Sequence, residues 1–168
     1  MLALLILLAL WLSVAPVFAV TTFAPGDVAI IGINGDNPDE IAFVVLVDVL
    51  AGTELIFTDA GWFSTNTFRT GEGAIRYTFP ANTTAGTVIK FTNPAAGDWA
   101  TITGDPLWTG VLALSNDGDQ VFALQASSAS PTFIFAAQTN STTWQTTATN
   151  AQTSALPAGL ADGVNAVA

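Results

Sequence analysis

The hydrophobic pattern of this chain centres on residues 40–62, EIAFVVLVDVLAGTELIFTDAGW. Residues 41–49 are almost unbroken apolar sequence rich in Val. A run this short cannot span a bilayer, and it predicts a strand buried on both faces. Ala51-Gly52 supplies a turn, and residues 55–58 are expected to return as a second strand, completing a central hairpin. Asp59-Ala60-Gly61 punctuates, and Trp62-Phe63 follows as a large aromatic lid. Such a hairpin needs a second layer to cover it.

The flanking pattern supplies that layer. Residues 27–33 read as a first strand, followed by the turn-forming loop 34–39, NGDNPD. After a polar loop at 64–71, residues 72–79 alternate, with Ile75, Tyr77 and Phe79 on one face and Ala74, Arg76 and Thr78 on the other. Residues 88–92 alternate again, with Ile89 and Phe91 inward and Lys90 outward. A loop is expected at 93–106, then a strand at 110–114 paired across the tight turn Asn116-Asp117-Gly118 to a strand at 120–124. Shorter strands are expected at 132–136 and 164–168, separated by the Thr/Ser/Asn-rich stretch 140–155 and a turn at 157–163. No window sustains a helical period. Many short strands between turns predict an all-β chain, an antiparallel sandwich of immunoglobulin-like Greek-key type.

Residues 1–19 stand apart from this fold. Residues 2–12 form an apolar run, residues 13–16 break it, and Val17-Phe18-Ala19 places small residues where a signal peptidase reads. We expect a signal-peptide helix at 1–19, cleavage after Ala19, and a β-sandwich domain at 20–168. The closing residues Asn165-Ala166-Val167-Ala168 stop in mid-strand, which predicts that the reading frame continues.

Composition narrows the chemistry. The 168 residues are 51% hydrophobic and 10% charged, which is the balance of a chain with a core. Thirteen acids against three cations give a net charge of −10, opposed to nucleic acid and to anionic lipid. Cys and His are absent. That excludes disulfides, thiolate zinc sites, Ser-His-Asp triads and Cys nucleophiles.

Four stretches carry a family resemblance: Gly26-Asp27-Val28-Ala29, Asn37-Pro38-Asp39-Glu40, Phe57-Thr58-Asp59-Ala60-Gly61-Trp62 and Phe68-Arg69-Thr70-Gly71-Glu72-Gly73. Their order resembles a bacterial secreted lamin-tail-like β-sandwich, an immunoglobulin-like domain, over residues 27–79. The later stretch 115–120, SNDGDQ, is similar to a hairpin of the exported relatives. The chain departs from the lamin-tail pattern at Phe43, Val44 and Val45, where that family often carries Glu and Tyr. The resemblance implies an accessory module without assigned catalytic residues, of the kind found beside secreted nucleases, phosphatases and adhesins.

Candidate chemistry is sparse. Asp36, Asp39 and Glu40 set three carboxylates within five residues, a density of hard oxygen ligands that suits calcium and equally a solvated turn. Asn116-Asp117-Gly118-Asp119 has a fragment of calcium-loop spacing without the bidentate Glu. Asp59, Glu72, Arg69 and Arg76 suggest an ion-pair clasp across the Trp62 loop, or a carboxylate pair for glycoside hydrolysis. Trp62, Trp99 and Trp144, with Trp108, fall at strand ends or in loops, where they can stack on sugars or close the ends of the sandwich. Asn82 and Asn140 head matches to the N-glycosylation pattern.

These features predict a noncatalytic secreted or cell-surface module mediating interaction or adhesion, without a cofactor. Its partners would be other domains of the same exported protein, or an extracellular protein or glycan. The alternative is a structural subunit of an extracellular fibre or matrix assembled by strand addition. Calcium is expected to raise the melting temperature slightly at most. A rise of many degrees that disappears in Asp36→Ala would overturn that expectation.

Overall fold

A computed structural model describes residues 19–168. The signal peptide expected at 1–19 falls almost wholly outside the described residues. Among the described residues there is no helix. Eleven strands form: β1 (Val28–Asn34), β2 (Glu40–Val45), β3 (Glu54–Thr58), β4 (Trp62–Phe63), β5 (Thr67–Phe68), β6 (Ala74–Thr78), β7 (Val88–Thr92), β8 (Trp99–Thr101), β9 (Gln120–Ser127), β10 (Ser130–Gln138) and β11 (Ala166–Val167). They make a three-stranded sheet ordered β1-β2-β7, a six-stranded sheet ordered β11-β10-β9-β3-β6-β8, and the small β4-β5 hairpin. Every pairing is antiparallel except that of β10 with β11.

The two strands expected to pair as a central hairpin lie in different sheets. β2 pairs with β1 and β7, whereas β3 pairs with β6 and β9. The connection between them crosses from one sheet to the other. β2 is also not buried on both faces. Ile41, Phe43 and Val45 point into the core, and the strand ends before Leu46, which is 53% exposed. The doubly buried strands are β3, β9 and β10 of the larger sheet.

Two apolar clusters explain that burial. On one face of the six-stranded sheet, Leu55, Phe57, Ile75, Tyr77, Val121, Ala123 and Ile134 pack against Val28, Ile30, Ile41, Phe43, Val45 and Phe91 of the smaller sheet. On the other face, Ile56, Ala74, Phe122, Leu124, Phe133, Ala136 and Ala166 meet Trp62, Phe68, Trp108 and Ala155, which come from the β4-β5 hairpin and loops. The larger sheet is therefore the middle of three layers. Burying each large side chain contributes about 1.5–3 kcal/mol.

Irregularities keep the alternation in phase. The β1-β2 register shifts between Ile30 and Gly32, leaving Ile31 exposed and returning Ile33 to the core side. A shift in β10 between Phe133 and Phe135 puts Ile134 and Phe135 on the same face. The expected loops at 64–71 and 93–106 contain β5 and β8. Both are too short for a periodic pattern to reveal, and β8 pairs with β6 at the sheet edge.

Residues 110–114, expected as a strand, belong to no ladder. A turn does occur at 116–117, but its flanks do not pair with each other, because β9 is already taken by β3 and β10.

Trp62 sits at the centre of the second cluster. It is 6% exposed, with its ring centroid 4.8 Å from that of Phe68 and 4.9 Å from that of Phe133. Its N–H donates to Ser154 Oγ at 2.7 Å and its carbonyl accepts from Ala148 and Ala155, so the 148–155 loop is tied to the hairpin. Trp62→Ala is expected to cost about 3–5 kcal/mol. Urea denaturation checks this, and an unchanged midpoint would remove Trp62 from the core.

Candidate functional site

The segment expected as a strand at 110–114 is held by side chains instead of by a ladder. Its burial alternates as a strand's would, with Leu112 and Leu114 in the core and Val111 and Ala113 exposed. Three successive N–H groups donate to carboxylates: Ala113 to Asp59 Oδ2 at 2.8 Å, Leu114 to Asp39 Oδ2 at 3.0 Å, and Ser115 to Asp119 Oδ2 at 3.1 Å. In an extended chain successive N–H groups point to opposite sides. Asp59 and Asp119 adjoin the paired strands β3 and β9, and both serve one side. Asp39 precedes β2 of the smaller sheet and serves the other. Residues 110–115 thus form a strap bridging the two sheets.

Close approach makes the strap possible. A Cβ on Gly73 would land on the backbone of Val111 and Leu112, and one on Gly35 would come within 2.5 Å of the Ser115 carbonyl oxygen. Gly110 N–H donates to the Glu72 carbonyl at 3.0 Å. Ser115 Oγ accepts from Gln152 Nε2 at 2.6 Å, linking the strap to the 148–155 loop.

The acids beneath are buried, with Asp59 2%, Asp119 4% and Glu72 9% exposed. Glu72 Oε2 accepts from Gly61 N–H at 3.2 Å, and Glu72 Oε1 lies 3.4 Å from Arg69 Nη1. Burial pushes the Asp59 carboxyl up to about 6, with the Asp39 charge adding to it and the Ala113 amide opposing. Burial, then repulsion from Asp59, lifts Glu72 to about 8 against the pull of the Gly61 amide and Arg69. Asp119 rises to about 7, again chiefly by burial, with Asp59 and Asp39 adding repulsion. Asp59 Oδ1 is buried without a hydrogen-bond partner, so this carboxyl is served on one oxygen only.

The other sequence candidates are placed as follows. Asp36 is exposed, its N–H bonded to Asn34 Oδ1 at 3.1 Å. Glu40 Oε1 pairs with Lys90 Nζ at 2.7 Å and accepts from Thr92, and the Lys90 contact lowers the Glu40 pKa. Asp39 is engaged by Leu114 and Glu40 by Lys90, so these two carboxylates face different partners. Among the described residues no group of three or more His, Cys, Asp or Glu is placed to hold a metal ion. The expected clasp of Asp59, Glu72, Arg69 and Arg76 divides: Arg69 pairs with Glu72, but Arg76 pairs with Glu54 across β3 and β6, and Asp59 bonds the strap instead of a cation.

Trp99 closes the side of the first cluster, its ring 4.8–6.1 Å from those of Tyr77, Phe91, Phe57 and Phe43. Trp144 is half-buried over Phe122 and donates to Asp162 at 3.3 Å. Trp62 offers no exposed ring face of consequence, at 6% exposure. A polar cleft of about 290 Å³ opens beside the strap, lined by residues including Asn34, Asp36, Ser115, Asp117 and Thr139, and by none of the three buried acids. Asp119 and Asp39 as strap anchors were missed from sequence. The available signal was an acid set directly against an apolar strand, as in Thr58-Asp59 and Asp119-Gln120-Val121.

Comparison with known proteins finds no matching family, no similar curated sequence and no similar solved structure.

The three raised carboxyls set the sign of pH dependence. Each holds its proton longer in the folded chain than in the unfolded one. Their contribution is therefore complete below the ordinary values of 3.8 to 4.5, and is lost as pH rises through about 6, 7 and 8. Glu40 and Asp105 are shifted the other way, so they act only at the acid end. The melting temperature is expected to fall between about pH 5 and pH 8, and to fall less in Glu72→Gln, which keeps an acceptor for Gly61. A wild-type midpoint that is flat or rising across that range would contradict the assignment.

Proposed function

We propose that the chain is a noncatalytic, exported β-sandwich module of immunoglobulin-like Greek-key type, similar to bacterial lamin-tail-like domains. It acts in interaction or adhesion at the cell surface, or outside the cell, within a larger exported protein. One observation carries this reading: the chain's cations and its buried acids are engaged in its own architecture. Each of the three cations pairs with a Glu. The acids with raised pKa values accept backbone amides under a covering strap. Acid–base chemistry on an external substrate needs such groups at a cleft. What remains for recognition is polar and acidic, chiefly the loops around the cleft beside the strap, where Asp36 and Asp117 are exposed and no cation lines the wall, a surface that suits a protein or glycan partner. No cofactor enters this reading, and calcium is at most a ligand of the exposed Asp36 loop.

A second reading, a fibre subunit built by strand addition, draws on β7. This strand is the edge of the smaller sheet, pairs only with β2, and carries Val88 at 57% exposure. Lys90 on the same strand works against it, as an edge charge does.

Intact mass and sedimentation velocity of the native exported product test both readings. The module reading expects a chain starting at Val20, carrying further sequence beyond residue 168, and sedimenting as one species at all concentrations. Concentration-dependent polymers would replace it with the fibre reading. A product retaining residues 1–19 would overturn export by cleavage.

A further inference from the structure

The strap at residues 110–115 covers buried acids that have no counter-ion. Asp59 and Asp119 face Asp39 at the start of β2 and Glu72 ahead of β6, all acidic. Arg69, following β5, is the cation in this group, and it pairs with Glu72 at 3.4 Å. Arg76 and Lys90 are engaged by Glu54 and Glu40 elsewhere. From β10 the neighbour is neutral: Thr139 Oγ1 accepts the Asp119 N–H at 3.0 Å. Ionising Asp59 and Asp119 together therefore sets like charges under the strap with no cation of their own.

The strap is also the element best able to yield. β3 and β9 are hydrogen-bonded on both sides within the six-stranded sheet. The strap has no ladder, and the amides of Ala113, Leu114 and Ser115 depend on the carboxylates themselves. Lifting it hydrates both acids and withdraws only Leu112 and Leu114 from the core.

We propose that residues 110–115 form a pH-gated strap, which opens as a local unit when the Asp59 and Asp119 carboxylates beneath it are both ionised. The closed form is the protonated one, and opening uncovers the apolar slot between the two sheets that Leu112 and Leu114 fill. The raised affinity of these acids for protons gives the sign: opening increases with pH. Each unit by which a closed-state pKa exceeds its open-state value changes the open population tenfold, so opening should grow at least about tenfold between pH 5 and pH 8.

Amide hydrogen exchange on the exported chain tests this. After correction for intrinsic rates, protection of Ala113, Leu114 and Ser115 should fall at least about tenfold from pH 5 to pH 8 and lie below that of Phe57 and Val121 at each pH, as a local opening requires. In the double variant Asp59→Asn, Asp119→Asn, which keeps the acceptors and removes the charges, strap protection should lose its pH dependence. Strap protection that stays constant with pH, or that equals that of Phe57 and Val121 throughout, would overturn the proposal. The wild-type comparison decides the matter even if the variant does not fold.

Discussion

An extended segment lying between two sheets must find partners for backbone groups that neither sheet can pair, and the carboxylates of Asp59, Asp39 and Asp119 meet that need here. Unpaired N–H groups buried at this junction would each cost about 1–3 kcal/mol. Bonding them to acids solves the problem on both sides at once, because the alternating amides of the strap reach opposite sheets. The solution has a cost of its own. Carboxyls buried to serve amides sit close enough to repel one another, and burial resists their ionisation. The same side chains thus join the sheets and make the junction sensitive to proton concentration.

The rest of the architecture depends on that junction. With Leu112 and Leu114 in place, the first cluster is closed at the end where β2 begins and β3 finishes. The second cluster is closed differently. Trp62, Phe68 and Trp108, with the 148–155 loop, cover the far face of the six-stranded sheet without forming a full sheet of their own. Ser115 and Gln152 connect the two closures at 2.6 Å, so the strap and the back layer are joined through one hydrogen bond. Gln120 belongs to the same connection, donating through Nε2 to the carbonyls of Asp59 and Ala151.

Charge is distributed with similar economy. Three cations serve a chain of net charge −10, and each is committed to a Glu. Exposed pairs such as Arg76 with Glu54 contribute little, typically below about 1 kcal/mol. Their effect here is mainly to leave the buried Asp residues without counter-ions. An acid with no cation beside it is poorly fitted to stable ionisation, and its amide contacts become its main attraction.

Local pattern by itself determined the all-β character, the strands near 28–34, 74–78 and 88–92, and the inward positions of Ile75, Tyr77, Phe79 and Phe91, because period-two alternation is a property of neighbours along the chain. It also marked 110–114 as a strand; its burial alternates as a strand's does, but it pairs in no ladder. Which strand lies beside which is decided at long range. β2 and β3 read as a hairpin because a turn separates two apolar runs, yet burying the inner faces of both sheets drew them into opposite layers. The same long-range packing showed which strands are covered twice, brought Asp39, Asp59 and Asp119 together from distant positions, and assigned the acids to backbone amides. Sequence spacing holds no record of that convergence, because side chains 60 or more residues apart, as Asp59 and Asp119 are, meet only when the layers close.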